Sequence, residues 1–376
     1  MGGQRLADVE NKNEKSMIMP HSPVSSTASG GQRRPYRVTS FDVAAEAGVS
    51  QSTVSRALAD DPSVSEATRA RVNAAAAKLN YHIDKNASRL RTGKTGTLAV
   101  VVICRPGENI KDLNPFYYAL LGSICSAASR RGHETLVSFQ DLPERLWGRY
   151  QEQRKADGII VIGTNENREA WDCFHDLGRP DGARAGVHMV CWGSPFEDLG
   201  WVRSDNDAGA ALATGHLLNA GYRQIVCIAS ETSPQRQFKE RYDGYAKRLS
   251  AAGMVPRLVA IEEGHSREEQ GRLAIGSLVA SAIPFDGIFA VCDELALGAL
   301  HALRELGIKV PDEVGLVGFD SIRAGAYATP ALTTIEPDFQ AAGTMLVDML
   351  LGMIAGQLCE KQRVPVSLLE RASCRR

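Results

Sequence analysis

Apolar positions along the chain fall into three regimes. Residues 1–34 carry Ser, Gly, Gln and Asn with almost no aromatic side chains, which predicts a disordered tail. From Tyr36 the spacing becomes helical. Thr39-Ser40-Phe41-Asp42 fits a capping box, so a helix is expected to run to Ala47, where Gly48 lets the chain turn without a β-carbon clash. Ser50 caps a second helix, Gln51 to Leu58, and a third starts after Asp61-Pro62 with Ser65 as its cap. Phe41, Ala44 and Ala47, with Val54, Ala57 and Leu58, are expected to share a small core with Val72, Ala76 and Leu79 of that third helix.

The third regime begins at Thr97. Short apolar, β-branched runs occur at Leu98–Cys104, Thr135–Phe139, Gly158–Ile162, Val187–Trp192, Gln224–Ala229, Leu258–Ile261, Gly287–Cys292 and Val314–Phe319. Helical spacing lies between them, near 115–131, 143–155, 166–178, 206–220, 236–252, 267–281 and 293–306. A crossing segment, Thr333–Pro337, precedes a late helix at 338–356. Strands alternating with helices imply βαβ units and parallel sheets, and the length exceeds one comfortable core. The fold class expected is therefore an all-α helix-turn-helix head followed by an α/β core of two doubly wound parallel-sheet lobes. The domain boundaries expected are 1–34 for the tail, 35–82 for the head, 83–94 for a linker and 95–376 for the body.

Composition sharpens this division. The whole chain has a formal charge of −1, which by itself points to no partner. Over residues 33–94, however, eleven Lys and Arg stand against six Asp and Glu, so a basic head precedes an acidic body. Such asymmetry suggests that the head alone meets a polyanion. Eight cysteines are scattered singly without a C-x-x-C pair, a spacing that suits a reducing cytosol better than a zinc ribbon or a disulfide framework. No apolar run approaches a membrane span, and Met17-Ile18-Met19 before Pro20 is too short for a signal peptide. A soluble, cytoplasmic protein with no membrane association is expected.

Two short helices joined at a glycine turn make a DNA-reading unit whose second helix enters the major groove N-terminus first. Gln51 and Ser52 are the polar residues at that end. Glutamine can bond an adenine edge bidentately, and Arg56 can reach guanine or phosphate. The alternative is a three-helix satellite with ordinary polar surfaces.

The run Val38-Thr39-Ser40-Phe41-Asp42-Val43-Ala44-Ala45-Glu46-Ala47-Gly48-Val49-Ser50-Gln51-Ser52-Thr53-Val54-Ser55-Arg56-Ala57-Leu58 closely resembles the head of the lac/gal repressor family of bacterial transcription regulators. Val64-Ser65-Glu66-Ala67-Thr68-Arg69 and Leu79-Asn80-Tyr81 resemble it too, and the likeness extends through nearly all of residues 37–373. It implies a periplasmic-binding-protein-like body and DNA contacts from Thr39, Ser50, Gln51, Ser52, Thr53, Ser55 and Arg56. It also implies a linker helix at 84–91, with Ala87 and Leu90 as an apolar wedge in the minor groove. Where the family usually has Pro-Asn, this chain has Ile83-Asp84. Gly93-Lys94-Thr95 is not a phosphate loop, since Ser88 stands where its first glycine is required.

In the body, polar and aromatic residues collect at strand ends, where open α/β sheets bind ligands. They are Asn114, Phe116 and Tyr117, then Asp205, Arg236 and Arg241, and lastly Cys292, Asp293 and Asp320. Hydrogen-bonding groups beside aromatic faces suit a sugar or a sugar derivative. By resemblance, Arg241 and Asp320 are the arginine and the acid that grip a small-molecule effector, and Cys292 replaces a common asparagine. The duller readings are a surface pair for Arg241 with Asp243, plain core for Phe116, and a helix cap for Asp293. No G-x-S-x-G, H-E-x-x-H or G-x-G-x-x-G is present, so neither an enzyme, a cofactor nor a metal is expected. The function expected is a homodimeric, DNA-binding regulator, a repressor controlled by an effector, acting on a pseudo-palindromic operator in double-stranded DNA. Its rivals are a small-molecule-binding protein acting on a protein partner and a sugar-active enzyme on the same sheets.

Overall fold

The structure, a computed structural model, describes residues 38–81 and 93–375 except 143, 145, 147, 180–185 and 231. The tail and the linker residues Ala87 and Leu90 lie outside the described residues. The chain divides into two compact units, a head and a body.

The head is three helices, α1 (Ser40–Ala47), α2 (Gln51–Leu58) and α3 (Glu66–Lys78). Local chemistry sets each end. The Asp42 carboxylate accepts from the Thr39 amide at 2.8 Å and from its hydroxyl at 2.7 Å, so the start of α1 closes on itself. Gly48 is left-handed with φ 65°, and the Val49 amide then reaches back to the Ala44 carbonyl at 3.0 Å. Ser50 and Ser65 accept amides of the first turns of α2 and α3. Val43, Ala44 and Ala47 pack on Val54, Ala57, Val72 and Ala76. Phe41 departs from the expected core, being 71% exposed. It precedes Val43 by two residues, more than half a helical turn, so burying Val43 and Ala47 rotates Phe41 outward.

The body opens with β1 (Thr97–Ile103), α4 (Pro115–Arg130), β2 (Glu134–Gln140), β3 (Gly158–Gly163), α5 (Arg168–Gly178), β4 (Met189–Trp192) and β5 (Gly200–Ser204). The chain then crosses to α6 (Asn206–Asn219), β6 (Ile225–Ala229), α7 (Arg236–Ala251), β7 (Leu258–Ala260), α8 (Arg267–Ala280), β8 (Gly287–Ala290), α9 (Asp293–Glu305), β9 (Gly315–Phe319), α10 (Arg323–Ala326) and β10 (Thr333–Pro337). It returns for α11 (Phe339–Ile354) and β11 (Gln362–Val364), and crosses again through Pro365 into β12 (Val366–Leu369). The two sheets run β11-β5-β4-β3-β1-β2 and β12-β10-β9-β8-β6-β7, parallel throughout except that β12 is antiparallel to β10. Strands β1 and β3 are almost wholly buried, as expected of sheets covered on both faces.

All eight apolar runs are strands. No α-helix forms among the described residues of 143–155: those from Tyr150 to Arg154 form turns, with Arg154 at φ 52°. Gly148, in the interior of that segment, already disfavours a helix there. Gly148 lies so close to α5 that a β-carbon would sit 2.3 Å from Leu177 Cδ2. Strands β5, β11 and β12 were not expected. They are short, and they find their partners only where the chain crosses between lobes. The Asp205 amide donates to the Val364 carbonyl at 2.9 Å and the Asp338 amide to the Pro365 carbonyl at 3.0 Å, stitching the three crossings together.

Candidate functional site

The N-terminal end of α2 is the exposed polar edge of the head. Ser52 and Arg56 are exposed, while Gln51, Thr53 and Ser55 are half-buried. The Gln51 amide donates to Ser40 Oγ at 3.2 Å, and the Ser50 hydroxyl lies 2.9 Å from that of Ser52 and 2.8 Å from that of Thr53. Arg56 reaches back along its own helix to the Ser52 carbonyl at 3.5 Å. Apart from the Gln51–Ser40 bond, which ties α2 to the start of α1, these bonds are local to α2 and its cap.

In the body, a cavity of about 460 Å³ lies at the carboxyl ends of the strands of both sheets. Six of the expected residues line it: Asn114, Phe116, Tyr117, Arg241, Cys292 and Asp320. Two do not. Asp205 caps α6, accepting the Ala208 amide at 3.2 Å, because a carboxylate at a strand-to-helix junction is drawn to the orphan amides of the first turn. Arg236 pairs with Glu197 at 2.7 Å and Glu240 at 3.4 Å.

Arg241 is the centre of one wall. Its guanidinium pairs with Asp320 at 2.9 Å, donates to Asn206 Oδ1 at 2.9 Å and to the Val291 carbonyl at 2.6 Å, and lies 3.5 Å from the centre of the Phe319 ring. It is thus an internal pair rather than a surface partner of Asp243. Burial raises the Asp320 carboxyl above its ordinary value and Arg241 pulls it back. Asp320 and Ser321 have φ values of 104° and 54°, strained for side chains of this kind. Asp293 holds that turn in place. Its carboxylate accepts the Ile322 amide at 2.8 Å and the Thr334 hydroxyl at 2.6 Å, so it braces Asp320 instead of capping its own helix. Gly318 is required beside it, since a β-carbon there would fall 2.2 Å from Asp293 Oδ1.

The opposite wall is aromatic. Phe116 packs edge-on to Tyr117 at 5.6 Å and lies 5.7 Å from Trp192 and 5.2 Å from Phe339. Asn114 Nδ2 donates across the cleft to Glu294 Oε2 at 2.8 Å. Burial, with Glu268 and Asp320 nearby, pushes the Glu294 carboxyl up to about 8. Further bonds join the lobes. Gln235 donates to Thr164 Oγ1 at 2.8 Å, and Glu166 accepts from both Arg105 and Arg267. Burial raises the Glu166 carboxyl, but the two arginines hold it below its ordinary value overall.

Sequence reasoning missed Arg105, Thr164, Trp192, Gln235, Arg267 and Glu294. Applied evenly, the strand-end signal finds half of them, because Arg105, Thr164 and Trp192 sit at the ends of β1, β3 and β4. Among the described residues no cluster of His, Cys, Asp and Glu could hold a metal ion, and no helix is long and apolar enough to cross a membrane.

Comparison with known proteins agrees with this architecture. Residues 41–84 match the family of bacterial regulatory proteins, lacI family, and residues 214–374 match a periplasmic binding protein-like domain. The HTH-type transcriptional regulator CelR of Thermobifida fusca is 31% identical over 340 residues, covering 88% of this chain and 96% of the relative. The ribose operon repressor of Escherichia coli is 28% identical, covering 89% and 99%. The structure of the lac repressor dimer bound to operator and the anti-inducer ONPF superposes with a TM-score of 0.72 at 25% identity, over 91% of this chain and all of that one. A CelR–cellobiose complex gives 0.61 at 28% identity, over 90% and 100%. With a family head, a two-lobed body and near full-length relatives, the chain belongs to the lacI family of bacterial regulatory proteins.

Proposed function

We propose that this protein is a transcription repressor that binds a pseudo-palindromic operator in double-stranded DNA as a homodimer, its affinity set by a sugar-like effector held between the lobes. The observation that carries this reading is one chain joining a helix with an exposed polar N-terminus to a cavity walled by both lobes. In the head, the Gln51 amide suits an adenine edge, and Thr39, Ser50, Ser52, Thr53, Ser55 and Arg56 suit bases and phosphates nearby. In the body, Asn114, Arg241 and Asp320 offer hydrogen bonds to hydroxyls, while Phe116 and Tyr117 offer flat apolar faces. Cys292 adds a small weak donor to the lining. Asp205 and Arg236 support the walls and do not meet the ligand. Effector bound to one lobe arrangement in preference to another shifts the population between them, and DNA affinity follows. The protein acts in the cytoplasm and performs no catalytic step.

Footprinting of the full-length protein on DNA upstream of its own and neighbouring genes tests this. A protected pseudo-palindrome is expected, with protection that changes when one sugar is added. Gln51→Ala is expected to change base preference at one position in each half-site. Uniform, purely salt-dependent binding to every sequence would reject the reading.

A further inference from the structure

Several bonds join the two lobes, and one of them depends on a proton. Asn114, at the start of α4, belongs to the first lobe and Glu294, in the first turn of α9, to the second. Asn114 Nδ2 donates to Glu294 Oε2 at 2.8 Å, and Glu294 is 8% exposed with no ion pair among the described residues. The other bonds across the cleft keep one charge state around neutrality. Gln235 and Thr164 are uncharged. Burial works to raise the carboxyls of Glu166, Glu197 and Glu240, yet the donors that bond them hold all three below the ordinary value.

The groups around Glu294 give its ionised form little support. From its own lobe come Arg267 and Glu268 at the start of α8 and Asp320 after β9, but Arg267 is paired with Glu166 and Asp320 with Arg241. Asp293, next in the chain, turns away to Ile322 and Thr334. From the first lobe the lining brings Arg105 and Lys111 together with Glu108 and Asp112, and Glu166 pairs with Arg105. The Tyr117 phenol and the Cys292 thiol are pushed up by burial and stay neutral. Apposing the lobes thus removes water from Glu294 without bringing net positive charge. The favourable field of the α9 N-terminus moves with Glu294 and acts in either lobe arrangement.

Charge at this junction therefore changes in an unusual range. No histidine lines the cavity. The Glu294 carboxyl is pushed up to about 8, by burial first and then by Glu268 and Asp320. Burial raises Asp293 and Asp320 as well, but Ile322, Thr334 and Arg241, which bond them, belong to their own lobe. Titrating those two leaves the Asn114 bond alone. A parted cleft would return Glu294 to water and to the ordinary carboxylate range. Between that range and the value in the joined cleft, each pH unit moves the balance towards parted lobes by up to about tenfold.

We infer that Glu294 is a proton-operated latch between the lobes: protonated, it holds Asn114 across a joined cleft, and when its proton leaves to solvent the lobes part. Its consequence for DNA binding rests on the repressor reading above, whereas the latch itself does not. Full-length protein without added ligand, from about pH 6 to about pH 9, tests it by infrared difference spectroscopy and small-angle scattering. Wild type is expected to show a carboxylic acid C=O band that Glu294→Gln lacks and to lose it with a midpoint at about 8. Its radius of gyration is expected to rise over the same interval, while Glu294→Gln keeps the acid value throughout. Glu268→Gln, at an exposed residue, removes one repelling charge and is expected to move both transitions down by about half a pH unit. An acid band already missing at the lowest pH, or a band lost at constant radius, overturns the inference. So does the same radius change in Glu294→Gln, or a pair of transitions that Glu268→Gln leaves in place. Footprints at one fixed pH report on the repressor reading separately, so its failure is distinguishable from this one.

Discussion

Replacing Arg241 by Met removes a buried cation while keeping a similar volume. The loss falls on Asp320, which is 7% exposed and has Arg241 as its ion-pair partner at 2.9 Å. Removing one member of a buried pair costs about 3–5 kcal/mol, because the other charge stays buried without compensation. That is a large part of the ~5–15 kcal/mol that holds a typical domain together. The cost depends on pH with a definite sign. Without Arg241, burial alone acts on Asp320 and raises its carboxyl further. A group whose folded value lies above its unfolded one loses stability as pH rises from the unfolded value towards the folded one. The deficit of Arg241→Met is therefore small at about pH 4 and grows towards neutrality. Adding Asp320→Asn removes the charge that suffers, so the double variant recovers most of the loss and loses the pH dependence. Urea unfolding of the full-length protein and the three variants at several pH values completes the cycle. A single-variant deficit below about 1 kcal/mol, or a double variant no more stable than Arg241→Met, would refute the reasoning.

Glu294→Gln keeps an oxygen for Asn114 but cannot ionise. With the carboxyl pushed up to about 8, wild-type stability falls as pH rises from the ordinary carboxylate range to about 8 and is flat above. The variant lacks that slope and gains on the order of 4 kcal/mol relative to wild type across the window, measured by unfolding at stepped pH; parallel curves would contradict it. Gly48→Ala forces a β-carbon into φ 65° and is expected to destabilise the head by about 1 kcal/mol, visible as lower helix content and weaker operator binding on warming. An unchanged melting profile would show that the turn tolerates the strain.

Much of this molecule can be read from the chain because its local rules agree with its global ones. Thr39, Asp42, Gly48, Ser50 and Ser65 punctuate the head so fully that the ends of its helices can be read without tertiary information. The eight β-branched runs survive for the same reason, since both faces of each sheet are covered. What escapes is whatever depends on distant pairing. Strand β11 exists because Gln362–Val364 lies along β5, some 160 residues earlier in the chain, and nothing in its own three residues demands it. The candidate site divides likewise. Asp320 stands out as a charge at the end of an apolar strand and Arg241 is singled out by the family resemblance, but Glu294 becomes conspicuous only when Asn114 arrives from the other lobe. The misplacement of Phe41 has a simpler origin, an aromatic ring being weighed above the register that Val43 and Ala47 already define.

The three crossings decide how this body can be taken apart. Its first lobe is assembled from residues 97–204 and again from 339–364, and Leu346, Val347 and Leu350 of the returning α11 are fully buried in it. A stop codon introduced after β10 would therefore strip the earlier lobe of its lid of leucines as well as shorten the later one. Grafting a new sensor onto this head is a single splice near residue 93, whereas exchanging one lobe alone demands three simultaneous junctions, so recombinants between relatives should survive at the first kind of seam and fail at the second.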